Sequence, residues 1–330
     1  RVKFRIGAFD KPKPSERKHA GDWSLLGAPE HREVAREAVR KSLVLLKNEN
    51  ALLPLSPSAR VLVAGDGADD IGKQSGGWTL SWQGTGNSNE HFPNGQSIFA
   101  GIEAAVLSAG GSVELSEDGS FEEKPDVAIV VFGEDPYAEF QGDRAHVDYD
   151  SDDGLALLRS FQEQGIPTVS VFISGRAMWV NPELNASNAF VAAWLPGSEG
   201  GGIAEVLFMA PDGTVPYDFT GRLSYSWPKL ATQAEVNVGD ADYDPLFAYG
   251  YGLSYAEPGT VAMLPEDSGL SDVGETELGQ FLAYGDPVGQ WQLILRDEMG
   301  DRVITDVRGR SLGGAVEVVP ADNATQEDTL

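Results

Sequence analysis

Acidic residues are interspersed with proline and aromatic residues in the segment 133–144, which reads GEDPYAEFQGDR and contains Glu134 and Glu139. A carboxyl group packed among proline and aromatic rings loses part of its hydration, which raises its pKa and allows it to donate a proton near neutral pH. One of these carboxylates is therefore a candidate general acid. Composition alone still favours a solvated acidic loop in which Arg144 pairs with Asp143.

A second segment, 76–84, reads GGWTLSWQG and places Trp78 and Trp82 four residues apart, with Gln83 next to Trp82. The C–H faces of sugars stack on indole rings, and a nearby amide binds hydroxyls, so this pattern is typical of a carbohydrate platform. The alternative is that both indoles fill the core beneath a long loop. That alternative stays open for Trp78, and the ligand interpretation is favoured for Trp82.

Composition argues against several other kinds of site. The 330 residues include no Cys and only 4 His without ligand spacing, so neither a metal nor another cofactor is expected. The formal net charge of -27 repels phosphate backbones, which makes nucleic acid a poor partner. Apolar runs such as 127–132 are too short to span a membrane. Acid/base chemistry is therefore expected to rest on carboxylates.

Other charged residues near strand ends are expected to serve structure. Arg176 and Glu199 stand in such loops, and a buried ion pair or a glutamate at a helix N-terminus is the favoured interpretation for them. The acidic stretch 148–153 lacks the spacing of an EF-hand, and we expect it to cap the helix that follows.

The elements that must position these loops form an alternating pattern. Short apolar runs rich in β-branched residues predict strands at 60–65, 112–115, 126–132, 168–174 and 189–194. Three-and-four spacing predicts helices at 29–47, 98–108, 152–165 and 201–209. This alternation predicts an α/β fold with a mostly parallel six-stranded sheet sandwiched by helices, residues 223–227 being expected to add a last, antiparallel edge strand. Ligands bind at the carboxyl ends of such strands.

Composition and hydrophobic patterning divide the chain into three regions. Residues 1–30 are composed like a linker, residues 31–255 contain the α/β pattern, and residues 256–330 are expected to form a partial all-β, β-sandwich-like module with strands at 290–295, 302–307 and 315–319. Because the chain starts at Arg1 and stops soon after a strand-like run, we interpret it as a piece of a longer polypeptide.

Five segments occur in an order that resembles the C-terminal α/β sandwich domain of glycoside hydrolase family 3, in particular its exo-β-glucanase and β-glucosidase group. They are 41–48, 76–84, 133–142, 192–200, and 239–247 followed by 249–253. The resemblance implies a retaining enzyme whose active site lies between this domain and an N-terminal (β/α)8 barrel of the same polypeptide, which carries an Asp nucleophile.

The resemblance also implies roles for individual residues. Glu139 would be the general acid/base, Glu134 and Arg144 would support it, and Trp82 would stack on the sugar of the leaving group, with Trp78 and Gln83 beside it. Because the barrel would precede Arg1, the chain alone is expected to be inactive.

The expected substrates are β-glucan oligosaccharides with 1,3 or 1,4 linkages, the expected product is glucose, and the expected location is extracellular or periplasmic. Two alternatives remain open: a non-catalytic carbohydrate-binding scaffold that uses Trp78 and Trp82, and a β-xylosidase of the same family.

Overall fold

The computed structural model describes residues 1–270 and, beyond them, 282–283, 286–287, 291–297, 300–304 and 315–320. Its main body is a six-stranded sheet in the order β1-β6-β5-β4-β2-β3, in which β1 is antiparallel to β6 and the other neighbours are parallel. The strands are β1 (Val44–Asn48), β2 (Arg60–Ala64), β3 (Ser112–Leu115), β4 (Val127–Gly133), β5 (Thr168–Ile173) and β6 (Ala189–Trp194). The predicted α/β fold is therefore confirmed.

Helices cover both faces of this sheet. The α-helices of the described residues are α1 (Val2–Arg5), α2 (Pro29–Ser42), α3 (Ile71–Ser75), α4 (Ile98–Ser108), α5 (Asp153–Glu163), α6 (Asn181–Ala186) and α7 (Gly201–Leu207). Short 3-10 turns lie at Pro14–Glu16, Trp23–Leu25, Glu49–Ala51 and Asn89–His91. None of the helices in this part of the chain is long and apolar enough to cross a bilayer.

The core consists of two layers separated by the sheet. Alternate strand residues such as Val61 and Val63 pack with α2, α4 and α7, whereas Leu62 and Ala64 pack with α5 and α6. Side chains of a strand point alternately to its two faces, so a strand buried on both sides must be apolar throughout. This explains why short apolar runs located β2, β4, β5 and β6 to within one residue, whereas β3 at the edge of the sheet is partly exposed and contains Glu114.

The antiparallel edge strand is not where the sequence analysis placed it. Residues 44–47 were predicted to end a helix, but α2 ends at Ser42 and the segment 44–48 forms β1, all of whose residues are buried. A short apolar run cannot be assigned to helix or strand by periodicity alone. The prediction of a strand at 223–227 is wrong, because this segment makes only an isolated bridge between Trp227 and Phe247.

Charged residues attach α2 to the body of the domain. The carboxylate of Glu199, 2% exposed, pairs with Arg32 at 2.7 Å and with Arg36 at 2.9 Å, while Arg36 and Arg40 also pair with Glu205. The structural interpretation of Glu199 is therefore confirmed. Residues 1–27 contain no buried side chain, and their assignment as a linker stays a prediction.

The C-terminal region contains short strands of antiparallel sheet. β9 (Trp291–Asp297) pairs with β10 (Gly300–Ile304) and with β11 (Ala315–Pro320), and β7 (Leu282–Ala283) pairs with β8 (Asp286–Pro287). The three longer strands coincide with the predicted ones, except that residues 290 and 305–307 of the predicted segments lie outside the described residues. The extent of this region as a separate module stays a prediction.

The buried carboxyl group of Glu183 should make stability depend on pH. Glu183 lies in α6, is 4% exposed, and its burial raises its pKa to about 7 from 4.5. The folded state thus favours the protonated form, so stability falls as the pH rises from about 4.5 to about 7. We expect Glu183→Gln, which keeps the shape without the charge, to stabilise the protein by on the order of 3 kcal/mol above pH 7 and to change little near pH 4.5.

Urea unfolding of the wild type and of Glu183→Gln at pH 5 and pH 8 measures this difference. The control is Glu163→Gln, at an exposed position near the end of α5. Identical pH dependence of the wild type and of Glu183→Gln would contradict the assignment.

Candidate active site

The topology of the sheet creates a crevice at the carboxyl ends of β2 and β4. These strands are neighbours, but the chain passes from β2 outward to β3 and from β4 in the opposite direction to β5. Loops that diverge in this way leave a crevice, where ligands of open α/β sheets bind. The segment 76–84 lies in the connection after β2, and the segment 133–142 follows β4. Both candidate segments therefore meet at the same crevice.

The two loops pack backbone against backbone. At Gly77, a Cβ atom would lie 2.0 Å from the carbonyl oxygen of Tyr137. No side chain fits in this space, so the close approach requires glycine at this position. The tryptophan loop and the acidic loop are consequently one packed unit.

Gln83 joins the loops through both ends of its amide. The backbone N–H of Ala138 donates to Gln83 Oε1 at 2.7 Å, and Gln83 Nε2 donates to the carbonyl oxygen of Glu139 at 3.0 Å. This amide therefore holds the peptide group between residues 137 and 138 and the one between residues 139 and 140. A role of Gln83 in binding sugar hydroxyls stays a prediction.

The carboxylate of Glu139 accepts hydrogen bonds from both indoles. Trp82 Nε1 donates to Oε2 at 2.7 Å, and Trp78 Nε1 lies 3.2 and 3.1 Å from Oε1 and Oε2. The backbone N–H of Trp78 donates to the carbonyl oxygen of Trp82 at 2.8 Å, which closes the turn that presents both rings. Three of the predicted site residues are thus in direct contact.

The expectation of a desolvated carboxyl group is wrong for Glu139. Its side chain is exposed to solvent, and the hydrogen bond from Trp82 lowers its pKa, with a further contribution from Trp78. Donors directed at a carboxylate stabilise its ionised form. In this chain the hydrogen bonds therefore favour the ionised form of Glu139.

Exposed aromatic rings surround this carboxylate. Trp78, Trp82 and Phe140 are 68%, 47% and 75% exposed, and the edge of Phe140 meets Trp82 with ring centroids 6.0 Å apart. The alternative that the two indoles fill the core is therefore wrong. Contiguous exposed apolar surface marks a binding site for a ligand or for another protein surface. Phe140 was not among the predicted site residues.

The groups at Glu139 lie on an open surface. Cavities of about 580, 680 and 750 Å³ lie along the crevice. Their lining includes Asp66 in every case but neither Glu139, Trp78 nor Trp82. A ligand bound to these three side chains would be covered by this chain on one side only.

Glu134 is buried beneath the loop rather than directed towards the indoles. It is 9% exposed, pairs with Arg176 at 2.9 Å, and accepts hydrogen bonds from the Tyr137 hydroxyl at 3.1 Å and the Gly175 N–H at 3.3 Å. The structural interpretation of Arg176 is thereby confirmed.

Arg144 pairs with the acidic stretch that follows it, whereas Asp143 was the expected partner. Its guanidinium donates to the carbonyl oxygen of Asp148 and to the carboxylate of Asp150. Asp152 occupies the N-cap position of α5, but its side chain makes no capping hydrogen bond. The acidic stretch therefore binds Arg144 instead of capping the helix through the side chain of Asp152. A supporting role of Arg144 for Glu139 stays a prediction.

Comparison with known proteins gives a consistent pattern. Residues 43–255 match the family model described as the glycosyl hydrolase family 3 C-terminal domain. An exo-1,3/1,4-β-glucanase from a Pseudoalteromonas species is similar in structure, with 48% identity and a TM-score of 0.79 over 92% of this chain and 38% of that chain. A variant of the same enzyme gives 56% identity and a TM-score of 0.78 over 81% and 43%.

Curated relatives are more distant and much longer. The lysosomal β-glucosidase of Dictyostelium discoideum is 32% identical in an alignment of 277 positions that covers 77% of this chain and 33% of that protein. The periplasmic β-glucosidase of Salmonella typhimurium is 28% identical over 77% of this chain and 39% of its own length. The chain thus spans well under half the length of these relatives.

Removal of one indole donor should change the acidity of Glu139. In Trp82→Phe the ring remains, but the N–H that stabilises the carboxylate is lost, so we expect the pKa of Glu139 to rise. An NMR titration of the chain with ¹³C-labelled glutamate measures this pKa directly.

Trp23→Phe serves as the control, because Trp23 is 78% exposed in a separate 3-10 turn. An unchanged or lower pKa of Glu139 in Trp82→Phe would show that the indole does not stabilise the carboxylate.

Proposed function

The chain belongs to glycosyl hydrolase family 3, and from that premise we propose that it supplies the general acid/base of a retaining, exo-acting β-glucosidase or exo-1,3/1,4-β-glucanase. The observation that carries this proposal is the carboxylate of Glu139, held by two indole N–H groups among exposed aromatic rings at the crevice. A carboxyl group that transfers a proton is one of the two that glycoside hydrolysis requires, and aromatic faces beside it suit the binding of a sugar.

The proposed reaction uses Glu139 twice. Retaining glycosidases place two carboxyl groups about 5–5.5 Å apart, one as nucleophile and one as acid/base. Glu139 first gives its proton to the departing glycosidic oxygen while the nucleophile bonds to the anomeric carbon. It then takes a proton from water, whose oxygen displaces the nucleophile and releases the sugar. We assign the nucleophile to an Asp of an N-terminal (β/α)8 barrel in the same polypeptide.

The state of Glu139 supports an active site shared with a second domain. An exposed carboxylate with a lowered pKa is a poor proton donor. Covering it with a neighbouring domain and a bound sugar would remove water and raise its pKa towards the range that a general acid needs. Since the chain spans 33% and 39% of two curated relatives, the rest of such a protein has room for a barrel. We therefore expect the chain alone to be inactive.

The indoles have two roles in this proposal. Their N–H groups bind Glu139, and their exposed faces are available to the sugar on the leaving-group side. Trp82 is the principal stacking residue and Trp78 the second. Gln83 supports both by holding the backbone at residues 138 and 139.

The proposed substrates are β-glucan oligosaccharides, with glucose as the product. The support is the similarity to exo-1,3/1,4-β-glucanase structures at 48% and 56% identity. We propose an extracellular or periplasmic location, which suits a polymeric substrate and is the location in the name of one relative.

Two other functions have specific support. The exposed indole pair favours a non-catalytic carbohydrate-binding scaffold. A relative from Formosa agariphila named a β-xylosidase, 27% identical over 77% of this chain, favours xylosides as substrates. Calorimetry of the chain with cello- and laminari-oligosaccharides separates the scaffold from the enzyme, because a shared site predicts weak or no binding without its second half.

Replacement of Glu139 tests the proposal in a protein that joins this chain to its barrel. We expect Glu139→Ala to slow hydrolysis of glucosides with poor leaving groups by about 10²–10⁴-fold, because these need the proton. The release of phenolate from 2,4-dinitrophenyl glucoside should be slowed far less, because this leaving group departs without a proton. Added azide should form β-glucosyl azide.

Asp143→Ala is the matched control, since Asp143 is an exposed carboxylate of the same loop. It should leave both substrates nearly unaffected. Equal losses on both substrates in Glu139→Ala, without an azide product, would reject the acid/base role.

A further inference from the structure

We propose that Arg176 is a positioning residue for Glu139: one guanidinium ties together the two ends of the acidic loop and so determines where its carboxylate lies. This inference rests on the proposed function and extends it to a residue on a third strand-end loop. Arg176 does not contact Glu139, so its effect must pass through the loop between them.

The first end of the loop is held at Glu134. Arg176 Nη2 lies 2.9 Å from Glu134 Oε1, and Arg176 Nε donates to the same oxygen at 3.0 Å. The Gly175 N–H donates to Oε2 at 3.3 Å, and the backbone N–H of Glu134 donates to the carbonyl oxygen of Ile173 at 2.9 Å. Charge-assisted bonds to a carboxylate that is 9% exposed are strong and specific in geometry.

The other end of the loop is held by the same side chain. Arg176 Nη1 donates to the carbonyl oxygen of Gly142 at 2.8 Å. A Cβ atom at Gly142 would lie 2.2 Å from Cδ2 of Tyr137, so only glycine brings this carbonyl into place. The guanidinium thus closes the segment 134–142 into a ring that contains Glu139.

Tyr137 fills the centre of this ring. The guanidinium lies over its aromatic face, 4.4 Å from the centroid, and its hydroxyl donates to Glu134 Oε2 at 3.1 Å. Burial and the charge of Glu134 raise the pKa of Tyr137 to about 12, so the hydroxyl stays a donor at physiological pH. The carbonyl of Tyr137 also meets Gly77, which links the ring to the tryptophan loop.

Arginine is the side chain that this arrangement needs. Its planar fork serves two acceptors and a ring face at once, which the single ammonium of lysine cannot do. Arg176→Lys therefore retains the charge and removes the geometry. A misplacement of about 1 Å in a catalytic group can cost about 100-fold in rate.

The test uses a protein that contains this chain and its barrel. In Arg176→Lys we expect kcat/KM, which reports the first step, to fall by at least about tenfold for a glucoside with a poor leaving group, while kcat/KM for 2,4-dinitrophenyl glucoside, whose departure needs no proton, changes by less than about threefold. A loss of folded protein would reduce both kcat/KM values equally. Arg159→Lys is the matched control, because Arg159 pairs with Glu266 at 2.9 Å away from both loops and should change neither substrate.

A second variant covers the case in which Arg176→Lys does not fold. Tyr137→Phe keeps the ring under the guanidinium and removes only the hydroxyl bond to Glu134. We expect the same selectivity for poor leaving groups, with a loss of about threefold or more.

The outcomes separate this inference from the proposed function. Selective loss in Glu139→Ala and in the positioning variants supports both. The role of Arg176 is overturned, and the proposed function stands, if Glu139→Ala shows selective loss but Arg176→Lys shows equal or no loss on the two substrates. When Arg176→Lys does not fold, the same result in Tyr137→Phe overturns the role of Arg176. Non-selective loss in Glu139→Ala overturns the proposed function and this inference with it.

Discussion

The candidate site depends on the amide of Gln83, which binds the backbone on both sides of the Cα atom of Glu139. Neither loop belongs to a helix or strand at this point, so repeating secondary structure cannot set their relative position. One amide with a donor and an acceptor does so, because the two bonds together specify the orientation of the peptide chain as well as its distance.

The sheet provides the rigid base from which the loops extend. At Gly133, where β4 ends, a Cβ atom would lie 1.8 Å from the carbonyl oxygen of Ile173 on β5. The acidic loop therefore leaves the sheet packed directly against the neighbouring strand, next to the loop that carries Arg176. Sites supported by strands in this way are more precise than sites on free loops. The divergence of the connections after β2 and β4 supplies the open space into which the side chains project.

Much of the fold could be predicted from the sequence. Buried parallel strands appear as apolar runs, and the position of both candidate loops after strands placed them at the same edge of the sheet, whereas the hydrogen bonds from the indoles to Glu139 were not predicted. The edge strand β1 was missed because its apolar run continues the spacing of α2. The backbone partners of Gln83 and Arg176 at Glu139 and Gly142 could not be predicted, because they lie 56 and 34 residues away along the chain. The pKa of Glu139 was predicted in the wrong direction, because the exposure of its side chain depends on the tertiary structure.

The lowered pKa of Glu139 favours the second step of a retaining reaction, in which the carboxylate accepts a proton, and disfavours the first step, in which it donates one. The base form, which the indoles stabilise, is the form that must accept a proton from water in the second step. The acid form, needed in the first step, requires an environment that makes the charge costly. This chain places donors on the carboxylate and leaves its other side open to solvent, so the desolvation must come from whatever covers that side. Under the proposed function, this chain therefore lowers the pKa of Glu139 and the second domain raises it, so that the ionisation of Glu139 depends on the contact between the two domains.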